Sequence, residues 1–243
     1  MKKIILGISL IFSNLFAVFS LTQEQLWAIA LTGIMSERNR SNHDTLNSDT
    51  MNIRNRNTWL ETLRRDWGIN NREELLEVLE TMENEGHSNS LKLIQTILKE
   101  EIVSITKIDE GNISVITNIN EYQLPSRRYN YLYFVYLNWD NYSTRTIKAW
   151  DLGRNIALCR WGYQVGFITE EEAWNKIMYY AKLIQPLYKS WEEYGYDYYM
   201  GRVFWASGFG ETERYIEETN PIYEKLISKN GLWHNLEWNI DLK

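Results

Sequence analysis

The chain has 243 residues and a formal net charge of −6, with 44% hydrophobic and 24% charged residues, a balance that supports a substantial buried core in one large domain or two small ones. No stretch is strongly basic beyond Arg127-Arg128, which argues against a nucleic-acid partner and against docking on anionic membranes. With 3 Pro and 13 Gly against 11 Trp and 16 Tyr, the composition favours long helices over a many-stranded sandwich.

In chain order, Met1-Lys2-Lys3 precedes an apolar run over 4–19 that is interrupted by Ser9, Ser13 and Asn14 and is short for a membrane span. Val18 and Ser20 suit the −3 and −1 positions of a signal-peptidase site. A signal peptide over 1–20 and a periplasmic or secreted protein are therefore expected, with an uncleaved N-terminal anchor as the alternative. No membrane contact is expected beyond that segment. The single Cys, Cys159, allows no internal disulfide and reads as a small buried hydrophobe.

Thr22-Gln23-Glu24-Gln25 has the form of a capping box and opens a first helix over 21–37, with Leu26, Trp27, Ala30, Leu31 and Ile34 on one face. The polar stretch 38–57 reads as a loop, 59–67 as a short helix stopped by Gly68. Asn71 caps the next helix, whose stripe is Leu75, Leu76 and Leu79 and whose end is Gly86. A further helix spans 90–105. Ile113 and Val115 alternate with polar residues, so 111–119 is a short strand or an extended connector, and any seam in the domain falls near 106–126. Residues 129–137 are continuously apolar, and periodicity cannot separate helix from strand in so short a run.

The second half is more sharply patterned. Residues 147–163 project as a helix apolar nearly all round, with Lys148 and Asn155 marking a polar strip, which is the pattern of a central helix. Thr169 to Glu172 forms a second capping box, before a helix that turns Ala173, Trp174, Ile177, Ala181 and Ile184 inward. Ser190 to Glu193 forms a third and opens an aromatic helix over 190–205. A last helix, or a pair split at Asn220-Pro221, precedes a Trp-containing tail. The expected fold is all-α: one irregular multi-helix bundle over 21–243, built around the helices at 147–163 and 190–205.

The run Ala149-Trp150-Asp151-Leu152-Gly153-Arg154, continued by Arg160-Trp161-Gly162-Tyr163 and Gly166, resembles the signature of the bacterial domain of unknown function 1266 family. Glu172-Ala173-Trp174, the segment from Ser190-Trp191 to Gly201-Arg202-Val203-Phe204-Trp205, and upstream Trp67-Gly68-Ile69 with Glu85-Gly86-His87 resemble it as well. The resemblance implies a helical bacterial domain and carries no activity, cofactor or catalytic residue with it. An export segment is a departure from many members of that family.

Few polar residues stand out. Asp151 and Arg154 are three apart on an otherwise apolar face, so they form a buried ion pair or the polar floor of a pocket in which Arg154 holds an anion. Arg202 projects with Trp191, Tyr194, Tyr198 and Trp205, and Asp151, Glu193 and Asp197 are its expected partners. Convergence of Asp151, Arg154, Glu193, Asp197 and Arg202 would make a small-molecule site. His87 and Arg160 are weaker candidates. His43, His87 and His234 share no ligand spacing and have no Cys nearby, so no metal site is expected, and no cofactor. Without a nucleophile elbow or a phosphate-binding Gly loop, two functions remain. One is a non-enzymatic interaction or binding module for an unknown protein or cell-envelope component. The other is an enzyme acting on envelope glycans, with Asp151 paired to Glu193 or Asp197 in an aromatic groove.

Overall fold

A computed structural model describes residues 21–102 and 126–242. The expected signal peptide lies outside them, as do the 111–119 stretch and all but the last residue of the expected seam. Every regular element among the described residues is helical: α1 Gln23–Ala30, α2 Gly33–Asn39, α3 Ile53–Trp67, α4 Arg72–Glu85, α5 His87–Ile102, α6 Ser126–Leu137, α7 Trp139–Tyr142, α8 Lys148–Val165, α9 Glu170–Ile184, α10 Trp191–Ser207 and α11 Thr212–Ile227. The fold is all-α, and the apolar run at 129–137 resolves as part of α6.

Helix ends follow their local chemistry. Thr22 and Gln25 close a capping box on α1, Thr169 and Glu172 one on α9, and Asn71 caps α4. Gly68, in the left-handed region at φ 70°, ends α3. At α10 the box is displaced. Ser190 accepts from the Glu193 N–H, but the Glu193 carboxylate accepts from Lys189 N at 2.7 Å rather than from Ser190.

Some boundaries differ from the sequence expectation, α5 among them, which starts at His87 rather than at Ser90. The first helix is broken into α1 and α2 at Thr32, whose hydroxyl donates to Ile29 O at 2.8 Å and competes with the helical ladder. The 38–57 loop is shorter, because Asn52 caps α3 and the Arg- and Asn-rich first turns of that helix face solvent. Of the two readings of the C-terminal segment, the single helix holds: α11 runs through Pro221 unbroken, and the acceptor that Pro cannot bond belongs to exposed Glu217.

Helix α8 is the axis of the bundle. It packs against α3, α4, α5, α9 and α10, and residues 149–162 are all buried. Asn155, expected on a polar strip, is buried too and donates to Leu79 O at 3.0 Å. Most of the aromatic content is packing material. Trp27, Trp191, Trp233 and Trp238 form one cluster with ring centroids 4.9–5.7 Å apart, so the tail folds back onto the core.

The crossing of α8 and α10 depends on two glycines. A Cβ at Gly153 would stand 2.6 Å from the Tyr194 hydroxyl, and one at Gly201 would overlap the Trp150 Cβ. Gly201→Ala gains about 1 kcal/mol of helix propensity but overpacks this contact at a cost of about 1–3 kcal/mol. Urea denaturation should show a net loss of stability; unchanged or raised stability would mean that the two helices are not in fixed contact.

Candidate functional site

Asp151, in the first turn of α8, has no exposure to solvent. Its Oδ1 accepts from His87 N at 3.0 Å and its Oδ2 from Ser88 N at 2.8 Å, so it caps the N-terminus of α5 from a different helix. Arg154, one turn along α8, donates from Nη2 to Asp151 Oδ1 at 2.9 Å and from Nε to Trp150 O at 3.0 Å. The same Nη2 lies 3.1 Å from His87 Nδ1, which is thereby the acceptor. Burial works against the Asp151 charge, yet the His87 ring, protonated in the acid range where Asp151 titrates, the Arg154 guanidinium and the Ser88 N–H together hold the carboxyl at about 2. Burial likewise pulls the His87 imidazole below its usual range.

Arg154 also faces a cavity of about 410 Å³. Trp150, Arg154, Trp161 and Arg202 lie buried along it. Half-exposed Trp67, Trp205 and Tyr215 stand higher, with Arg38 and Asp66 exposed at the mouth. Arg202 is 3% exposed, and its Nε has no hydrogen-bond partner in the protein. Its one ion pair is long, 3.4 Å from Nη2 to Glu218, a half-exposed carboxylate that Arg214 also engages at 3.0 Å. Tyr215 lies under the guanidinium, 4.8 Å from its carbon to the ring centre. The Trp150 indole N–H is a second buried donor without a partner, and like the Arg202 Nε it is closed off from solvent. Burial and the nearby Arg38 charge bring the Arg202 guanidinium down to about 10.

The cavity thus gathers only part of the expected set. Arg154 and Arg202 converge on it, with Asp151 behind Arg154. Arg202 pairs with Glu218 on α11 and not with the expected Asp151, Glu193 or Asp197. Glu193 is an exposed cap of α10. Asp197 belongs to a separate buried network, where it accepts from the Tyr188 hydroxyl at 2.6 Å and from the N–H groups of Ile147 and Ala149, capping α8 beyond the left-handed Ile147. With Asp151 sealed and the other two carboxylates engaged elsewhere, the acid pair expected for glycan hydrolysis does not form. Arg160 holds the loop after α2, donating to Leu46 O, Thr32 Oγ1, Ser36 Oγ, Asn42 O and Thr45 O. Sequence reasoning missed Arg38, Tyr215 and Glu218. Only the spacing of Arg214 and Glu218, four apart on α11, hinted at a charged face there.

A family model described as "Protein of unknown function (DUF1266)" matches residues 62–238. The chain belongs to the DUF1266 family. Among relatives, the "Uncharacterized protein YbeU" of Escherichia coli (strain K12) is 29% identical over 163 residues, covering 67% of this chain. The match spans 64% of that relative's own length. No solved structure matches the chain significantly. Within this DUF1266 domain, Asp151, Arg154 and Arg202 all fall inside the matched span. Among the described residues no group of three His, Cys, Asp or Glu is placed to hold a metal ion, and no helix is long and apolar enough to cross a membrane.

The Asp151 network predicts an acid limit on stability. Its folded-state pKa of about 2 lies below the ordinary 3.8. Its contribution, on the order of 2 kcal/mol, is therefore present above about pH 4 and lost as the pH falls toward 2. Asp151→Asn removes that dependence. It also turns an amide N–H₂ or a lone oxygen toward two backbone donors and leaves Arg154 buried and unpaired, at a cost of about 3–5 kcal/mol at neutral pH. Urea denaturation of both proteins between pH 2 and 7 checks this; parallel pH profiles would rule out a buried, ionised Asp151.

Proposed function

We propose that this DUF1266 domain is a non-enzymatic binding module whose ligand is a small organic anion seated in the Arg154–Arg202 cavity. The observation that carries the reading is Arg202, a cation on the cavity wall whose one ion pair is a long contact to a carboxylate that Arg214 shares. Leaving such a group under-satisfied costs stability, and an incoming acceptor removes the cost. The volume of about 410 Å³ suits a small ligand, and indole and guanidinium groups converge there as they do in binding pockets. The region is poor in catalytic equipment, since its one buried carboxylate already carries three donors. We further propose that residues 1–20 export the domain, so that it meets its ligand or an envelope partner outside the cytoplasm.

Thermal unfolding against a panel of small organic anions tests the binding. A ligand present at ~100 times its Kd raises stability by about 2.7 kcal/mol, visible as a higher Tm. The rise should be lost in Arg202→Gln. If no anion raises Tm, or if the variant responds as the wild type does, the cavity is not an anion site. Fractionation of cells making the full chain, with the N-terminus of the accumulated protein sequenced, tests export: a start at Leu21 in the non-cytoplasmic fraction is expected, and an intact Met1 in the cytoplasm would refute it.

A further inference from the structure

Resting on the anion reading, we infer that the ligand is a planar aromatic acid, its ring held against the indoles and its acid group on Arg202 and Arg38. The argument begins with the hydrogen-bonding inventory of the lining. Arg38, Arg154 and Arg202 are donors with no acceptor capacity. Acceptors on the wall are few: Asp66, which already receives two bonds from Arg65 at 2.7 and 2.9 Å, and the neutral Thr62 hydroxyl oxygen, Asn39 amide and Tyr215 hydroxyl. A sugar or other polyol would leave three guanidinium charges facing neutral oxygens. The site instead fits a ligand rich in acceptors and poor in donors.

The apolar part of the lining narrows the class further. Trp150 and Trp161 are buried beside the arginines, while Trp67, Trp205 and Tyr215 keep partly exposed rings around the opening. Core packing accounts for the buried pair, since Trp161 stacks on Trp59 at 5.0 Å and Trp150 lies under Arg154 at 4.2 Å. The other three are packed only in part: Trp67 lies beneath Arg154 and Trp205 stands against Tyr215 and Phe209, while each ring keeps some exposed surface. A flat conjugated ring presents matching faces to them, and such stacking is favourable whatever the ring's substituents. At interior packing density the volume holds ~20 non-hydrogen atoms, the size of a bicyclic or tricyclic acid.

The charges place the acid group. Arg154 already shares Nη2 between Asp151 and His87. Arg202 and Arg38 reach Glu218 only at 3.4 and 4.0 Å, Asp66 near Arg38 is already paired to Arg65, and the proximity of Arg38 itself disfavours the charge on Arg202. Two cations with no close carboxylate of their own make an arrangement that a carboxylate or phosphate completes. No bond is made or broken in this proposal.

Calorimetric titration of the full chain with 2-naphthoate, its neutral analogue 2-naphthamide, cyclohexanecarboxylate, glucuronate, 2-naphthyl phosphate and inorganic phosphate is the test. Naphthoate or naphthyl phosphate should bind with a Kd of ~1 mM or below, whichever is tighter identifying the acid group. The amide and the two non-aromatic acids should bind at least about tenfold more weakly. Trp205→Leu should weaken naphthoate binding about tenfold. Arg202→Gln should weaken it about ten- to hundredfold. Arg38→Gln, at an exposed position where folding is not at risk, should weaken it severalfold. Equal affinity for glucuronate, cyclohexanecarboxylate or inorganic phosphate would overturn the aromatic inference and leave the anion reading standing. Equal affinity for naphthamide would overturn the anion reading itself, and absence of binding by every probe would overturn both.

Discussion

Asp151 carries a full negative charge with no contact with water, and a protein interior tolerates this only when the carboxylate's lone pairs are occupied. Three donors from two directions do so: the first two N–H groups of α5 and the guanidinium of Arg154. The contact fixes the start of α5 against the first turn of α8, at the point where α4 ends on Gly86. It also decides where Arg154 can point. With Nε tied to Trp150 O and Nη2 to Asp151, the guanidinium lies flat over the Trp150 indole and becomes one side of the cavity. A stabilising contact in the core and the shape of the candidate site are consequences of the same pair.

The three buried arginines of the bundle illustrate different solutions to one electrostatic problem. Arg160 has no carboxylate in ion-pair contact and is satisfied by five neutral oxygen acceptors. Arg154 has a dedicated carboxylate. Arg202 has neither, only a distant share of Glu218. The first two have close partners of their own, although Arg154 also borders the cavity. Incompleteness is what sets Arg202 apart, and it occurs at an opening in the packing rather than deep inside it.

What could be read from the sequence is what depends on neighbours within one or two helical turns. The capping residues Thr22, Asn71 and Thr169, the stop at Gly68 and the all-round burial of α8 are of this kind, and so is the pairing of Asp151 with Arg154. Interpretation failed where a polar residue had two physically distinct uses. Asn155 looks like a solvent-facing residue in projection but serves as a buried donor to α4. Arg54 and Asn55 look like loop residues but form the wet face of α3. The site was half legible for a related reason. Arg154 and Arg202 announced themselves as charges on apolar faces, whereas the role of Glu218 and Arg38 depends on how α11 and α2 lie across α10, which no short-range pattern encodes.

The cavity is assembled from two stretches of chain with different standing. Its floor, both buried arginines and all four indoles come from within the segment that defines the family, residues 62–238, while Met35, Arg38 and Asn39 come from α2, upstream of it. Helix α2 is in turn moored to that segment by Arg160, whose guanidinium reaches Thr32 and Ser36. One wall therefore comes from outside the matched segment and is held against it by a buried arginine of α8, so a substitution on α2 would change the outline of the cavity while its floor stayed as it is.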